Sequence, residues 1–155
     1  MSSMFVASHS QVDAGMALKE IEDRRVERAR LARQNADLYA AEILAAVGDL
    51  SEWEVHLNDV LVAIFERKKI GSILIDDKSK DRDQFMAKGA LILKLGPGVD
   101  VDDNAVQFHG RRLQVGQWVA FMPTDGWPLK ILGQQCRMIP DNRIRMTIPS
   151  PDLIF

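Results

Sequence analysis

Apolar positions along the chain follow two different periods, and the change from one to the other falls near residue 50. Before it, Leu18, Ile21, Ala29, Ala32, Ala36, Tyr39, Ile43 and Ala46 recur at steps of three and four, which predicts a helix over 11–47 with one narrow apolar stripe. That stretch has no proline and a single glycine, Gly15. Ser10 or Asp13 is suited to cap its start, and Gly48 to close its end in a left-handed conformation. From Trp53 the period becomes two: Trp53, Val55 and Leu57 alternate with Glu54, His56 and Asn58, and VLVAIF at 60–65 is strongly β-prone.

Further strands are expected at 72–75, 90–95, 105–108, 112–115, 117–121, 129–132, 135–139 and 143–148. Turn signals separate them: Gly96-Pro97-Gly98, Asp102-Asp103-Asn104, His109-Gly110, Asp125-Gly126 and Pro140-Asp141-Asn142. Many short strands at this spacing predict a mainly β molecule, a small antiparallel barrel behind a long amino-terminal helix. The final PSPDLIF holds two prolines and an apolar end, and reads as an extended arm. The expected organisation is a helical extension over 1–50, the barrel over 51–148 and the arm over 149–155.

Charge changes the picture of the helix. Arg24, Arg25, Arg28, Arg30 and Arg33 interrupt its stripe, balanced in part by Glu20, Glu22, Asp23 and Glu27. Pairs such as Glu20–Arg24 are spaced to support the helix by about 0.2–0.5 kcal/mol each. The arginines form either a solvated face or a docking face for an acidic partner, built on Arg24, Arg25 and Arg28 with Tyr39. A helix this long with so thin a stripe has little to bury against its own domain, so it is expected to lie on a neighbouring subunit or partner.

Elsewhere charge and composition mainly exclude. A net charge of −2 makes no general case for nucleic acid or membrane, and no apolar run approaches the roughly 20 residues that span a bilayer. The strands show no basic groove interleaved with aromatics, so nucleic acid is not an expected partner. The opening MSSMFVASHSQVD lacks the basic and apolar regions of a signal peptide. The lone Cys136 fits a reducing compartment.

Candidate chemistry is sparse. His9, His56, His109 and Cys136 lack metal-ligand spacing, and DVDDN at 100–104 lacks the glycine and distal glutamate of a calcium loop, so it reads as a polar turn. Gly96-Pro97-Gly98 is followed by no helix that would hold a phosphate. Asp76, Asp77, Asp81 and Asp83 alternate with Lys78, Lys80 and Arg82, as in a solvated loop. No enzyme, metal or cofactor is expected.

With these elements in order, residues 55–148 resemble the GroES-type co-chaperonins (the chaperonin-10 family). EVHLNDVLVAI (54–64) is similar to the family's opening strand, and KGALILKLGPG (88–98) to the strand and glycine turn after its mobile loop. LQVGQWVAFMPTDGW (113–127) resembles its valine–glycine–aspartate strand and following turn, with Gln117 where the family has aspartate. CRMIPDNRIRMTI (136–148) has the shape of its closing strands, and VDVDDNAVQFHGRR (99–112) sits where the family has a roof hairpin. The resemblance implies a ring of copies and a loop, here 66–88, whose apolar tripeptide Ile73-Leu74-Ile75 grips an ATP-driven chaperonin. The helix over 1–50 and the PSPDLIF tail have no counterpart in that family.

Two expectations follow. One is a non-enzymatic assembly subunit, such as a bacteriophage capsid cement, decoration or connector protein, held by its terminal arms through Arg24, Arg25, Arg28 and Tyr39 and through Leu153, Ile154 and Phe155. The other is a co-chaperonin that caps a chaperonin ring through Ile73, Leu74 and Ile75. The expected partners are copies of itself and a larger assembly (capsid protein or chaperonin ring), in a virion or the cytoplasm.

Overall fold

A computed structural model describes residues 2–66, 69–70, 73–74, 88–102 and 107–154, with side chains described at 14–66, 88–102 and 107–154. Helix α1 runs Ser2–Val47, so it begins earlier than Ser10 or Asp13. No proline or glycine stands between residues 2 and 12 to stop a helix already nucleated further along. It ends as the sequence predicts: Gly48 is left-handed at φ 71° and its N–H donates to the Leu44 carbonyl at 3.1 Å.

Six strands form one antiparallel sheet: β1 (Asp59–Ile64), β4 (Gly89–Leu95), β5 (Trp118–Ala120), β6 (Trp127–Ile131), β7 (Gln134–Pro140) and β8 (Met146–Ile148). Their order is β6-β7-β1-β4-β5-β8. The expected barrel is therefore not formed, because β6 and β8 are edges that do not pair with each other. Both edges carry features that resist further pairing: β6 contains Pro128, which lacks an N–H, and the exposed Lys130, and β8 is only three residues long. A separate hairpin joins β2 (Lys69–Ile70) to β3 (Ile73–Leu74).

β1 is central to this sheet. It pairs β4 on one side and β7 on the other, and Val60–Phe65 are all buried. Its alternate side chains enter two cores. Leu61, Ala63 and Phe65 meet Leu91, Leu93, Trp118 and Cys136 under α1, which contributes Ala36, Ile43 and Val47. Val60, Val62 and Ile64 meet Ile92, Leu113, Val119, Phe121, Ile139 and Ile144 on the opposite face. A bulge between Leu61 and Val62 opposite β4 shifts the register there, so Leu61 faces Lys94 while Val62 faces Ile92.

Several expected strands are loops. Trp53–Leu57 alternates in sequence but pairs with no strand among the described residues, and Leu57 sits at φ 55°, where a strand cannot continue. Its carbonyl instead accepts from the Gly98 N–H at 2.8 Å, and a Cβ on Gly96 would come within 2.4 Å of the same oxygen. Residues 107–115 form no strand either, and 103–106 lie outside the described residues. This connection instead roofs the second core by a polar clasp.

The clasp turns on Asp100, 6% exposed and at φ 59°. Its Oδ1 accepts from Arg111 Nε at 2.9 Å and Nη2 at 2.6 Å, and its Oδ2 accepts from the Leu113 N–H at 2.6 Å. The Asp100 N–H donates to Asp141 Oδ2 at 2.9 Å, and Asp141 Oδ1 accepts from Asn58 Nδ2 at 2.9 Å. Arg111 closes the circuit on the carbonyls of Ile144 and Asp141 at 2.9 and 2.8 Å. The polar turn read at 100–104 thus holds a buried carboxylate that ties the roof to the start of β1.

Removing the Asp100 carboxylate strands the Leu113 amide and most of the Arg111 charge. Asp100→Ala is expected to lower unfolding free energy by about 2–4 kcal/mol in urea. Asp100→Asn keeps an acceptor and tolerates positive φ, so about half that loss is expected. Equal midpoints for Asp100→Ala and the native chain would contradict the clasp.

Candidate interaction surface

The helix stripe divides at Ala29. Beyond it, Ala32, Ala36, Ile43 and Val47 are buried, and Ala29, Tyr39 and Ala40 are half-buried. Before it, every residue from Ala14 to Arg28 is exposed. The expectation that the whole helix leaves its own domain is therefore corrected: the second half is part of the core, and the first half is an arm. At 1.5 Å per residue the fifteen residues 14–28 extend about 22 Å. Leu18 and Ile21 lie in the same angular register as Ala32, Ala36 and Ile43, so the face that packs on the sheet continues along the arm, uncovered.

Arg24, Arg25 and Arg28 all stand on this arm, exposed, and form no ion pair with any described residue. The pair expected at Glu20–Arg24 is not formed. Glu27 and Arg30 pair instead, with Arg30 Nε donating to Glu27 Oε2 at 3.0 Å, and that bond holds the Glu27 carboxyl below its ordinary range. Both groups are fully open to solvent, so this pair adds little stability.

The tail is not the extended arm expected. Residues Pro151–Leu153 form a short 3-10 turn on α1, with Ser150 and Pro151 buried. Ser150 Oγ caps the turn by accepting from the Asp152 N–H at 3.3 Å. Asp152 then accepts from Asn35 Nδ2 at 3.2 Å and from the Tyr39 hydroxyl at 3.2 Å. Tyr39 packs on Phe65 with ring centroids 4.8 Å apart. Partial burial, then the Asp152 charge and hydrogen bond and the charge of Glu42, raise the Tyr39 pKa above its usual value. Asn35 and Asp152 escaped the sequence reading, although Ser-Pro-Asp is a capped-turn signature.

Of the predicted residues, the fold brings Arg28 and Leu153 together and ties Tyr39 to the tail through Asp152. A groove of about 180 Å³ between α1 and the tail is lined by Arg28, Leu31, Ala32, Asn35, Asp152 and Leu153. Ile154 turns away into the core, where its Cδ1 would lie 3.1 Å from a Cβ on Gly89. Arg24 and Arg25 lie further out on the arm. Phe155 and Ile75 lie outside the described residues. Ile73 and Leu74 are on the β2–β3 hairpin, paired through the backbone with Ile70 and Lys69 and separate from the six-stranded sheet.

Other hollows have less chemistry. A cavity of about 170 Å³ between α1 and the end of β1 is lined by Tyr39, Glu42, Phe65, Glu66 and Gln134 among others. A groove of about 320 Å³ runs past Trp53, His56, Lys94 and Pro97. Among the described residues no three His, Cys, Asp or Glu side chains gather as a metal site, and no helix is long and apolar enough to cross a membrane. Burial pushes the Cys136 thiol up to about 11.

Tyr39→Phe removes the longish hydrogen bond from the hydroxyl to the Asp152 carboxylate, at a partly solvated site, while keeping the ring on Phe65. A loss of about 0.5–1 kcal/mol is expected in urea unfolding, together with faster carboxypeptidase trimming of the tail. Unchanged trimming would show that Asp152 does not hold the tail through Tyr39. No protein-family model matches the chain, and no curated protein matches it.

Proposed function

We propose that this chain is a non-enzymatic assembly subunit: a compact sheet domain that presents a helical arm to a neighbour. The observation that carries this reading is the division of α1 at Ala29: the face that packs on the sheet after it stands uncovered before it, where Leu18 and Ile21 share that face with Arg25 and Arg28. A helix without tertiary packing gains little from its own propensity, so its apolar stripe is best explained by a partner. Three unpaired arginines beside Leu18 and Ile21 suit a partner surface that is apolar with an acidic rim. A cement, decoration or connector role on a bacteriophage capsid is the setting that suits such an arm.

A second reading keeps the co-chaperonin resemblance. It is favoured by the β2–β3 hairpin, which sets Ile73 and Leu74 outside the main sheet, in the segment where the resemblance places the grip on a chaperonin ring.

The arm must be cut at residue 28, because deleting 1–47 would strip Ala36, Ile43 and Val47 from the core. A chain lacking residues 1–28 is expected to keep its sheet by circular dichroism but to leave the heavy fraction that the full chain enters in its own cell. Persistence of the truncated chain in that fraction would contradict the assembly reading. In the same experiment Leu74→Ser is expected to assemble normally. Loss of nucleotide-dependent binding to a chaperonin ring by Leu74→Ser, with the arm-deleted chain still binding, would establish the second reading in place of the first.

A further inference from the structure

We propose that copies of this chain join head to tail, with the roof arginines of one copy, Arg112, Arg143 and Arg145, seated on the acidic loop around Trp53 of the next. This rests on the assembly reading and adds to it a contact in which the arm takes no part. The roof side is basic. From 107 to 151 the chain has six lysines and arginines against two acids, Asp125 and Asp141. Asp141 is buried and Asp125 half-buried, so every exposed charge in this stretch, at Arg112, Lys130, Arg143 and Arg145, is positive. Arg111 gathers three of them: its guanidinium bonds the carbonyls of Asp141 and Ile144, so Arg112, Arg143 and Arg145 stand within two residues of the same clasp. None of the three forms an ion pair with a described residue.

The loop after α1 is the complement of this surface. Residues 48–59 hold four carboxylates, Asp49, Glu52, Glu54 and Asp59, and no lysine or arginine. Lys94, which donates to the Trp53 carbonyl at 2.8 Å, offsets one of them. Glu52, Trp53 and Glu54 are all exposed, Trp53 by 49%, and Trp53 and Glu54 line the groove of about 320 Å³. An indole face beside carboxylates suits a guanidinium, which stacks on the ring and gives paired hydrogen bonds to the acid. The two surfaces belong to opposite faces of the sheet. Leu50 and Val55 of the loop pack in the core under α1, whereas Leu113 and Ile144, beside the arginines, lie in the core of the other face. Because they are different surfaces, the contact between copies is heterologous and successive copies add in a row. A phosphate polymer would suit the roof but leave the acidic loop without a use, whereas a second copy accounts for both.

Charge reversal in the full chain tests this. One variant carries Arg143→Glu with Arg145→Glu, a second carries Glu52→Lys with Glu54→Lys, and a third carries all four. All four positions are exposed, so the three variants are expected to keep the native unfolding midpoint. In sedimentation equilibrium the native chain is expected to form species of several chains that shrink as salt is raised. Either pair alone sets like charges against each other and is expected to weaken association at least tenfold, and the chain with all four is expected to regain it. A fourfold variant that associates no better than either pair overturns the proposal. A native chain that stays single up to millimolar concentration also overturns it, and binding of an oligothymidylate by that chain through Arg143 and Arg145 would assign the roof to a phosphate polymer instead. A native chain that associates as described yet never enters the heavy fraction of its cell would overturn the assembly reading and leave this contact standing.

Discussion

The structure depends on covering β1 on both faces. Val60–Phe65 is a run of six buried residues with alternate side chains pointing to opposite sides, so a single layer beside it cannot satisfy it. One face is closed by the second half of α1, which lays Ala36, Ile43 and Val47 over Leu61, Ala63 and Phe65. The other is closed by an irregular roof that has no ladder of its own and is fixed by charge-assisted hydrogen bonds through Asp100, Arg111 and Asp141. The two closures are different in kind. Apolar packing tolerates variation of shape, whereas a buried carboxylate must keep its donors or become a liability.

That arrangement also explains why α1 is a component of two things at once. From Ala29 onward it is core, joined at Asn35 and Tyr39 to the capped tail turn at Asp152. Before Ala29 the same face runs on, with Arg25 and Arg28 between its apolar residues Leu18 and Ile21 and the packed half, and without a sheet beneath it. Propagating a helix beyond a packed segment needs no second nucleation, so an anchored helix can project an arm that would be marginal as a free peptide. Anchored this way, the arm keeps its direction relative to the sheet, which favours a defined contact over a fluctuating one.

The parts of the fold governed by local pattern were legible in the sequence. VLVAIF is a continuous apolar run and ALILKL is one broken only by Lys94; both form strands, and Gly48 ends the helix as a left-handed cap. The parts governed by distant partners were not. Trp53–Leu57 alternates as a strand does, but no neighbouring strand receives it. The role of Asp100 was hidden because its partners Arg111 and Asp141 are 11 and 41 residues away. Barrel closure was not legible either, since it turns on whether two edges meet, and the proline in β6 speaks only for one of them. The arm was half legible: the thin stripe signalled missing cover, but only the sheet reveals that the cover is lost before Ala29.

Amide hydrogen exchange on the full chain, first free in dilute solution and then in the assembly it enters in its own cell, tests most directly whether α1 is core in one half and an interaction arm in the other. In dilute solution residues 29–47 are expected to exchange slowly with the sheet, while 14–28 exchange orders of magnitude faster for want of tertiary contacts. In the assembly the arm amides are expected to become protected together, with those of 29–47 unchanged. Equal protection of both halves in a dilute single chain, or an arm that never becomes protected in any assembly, would contradict this division of the helix.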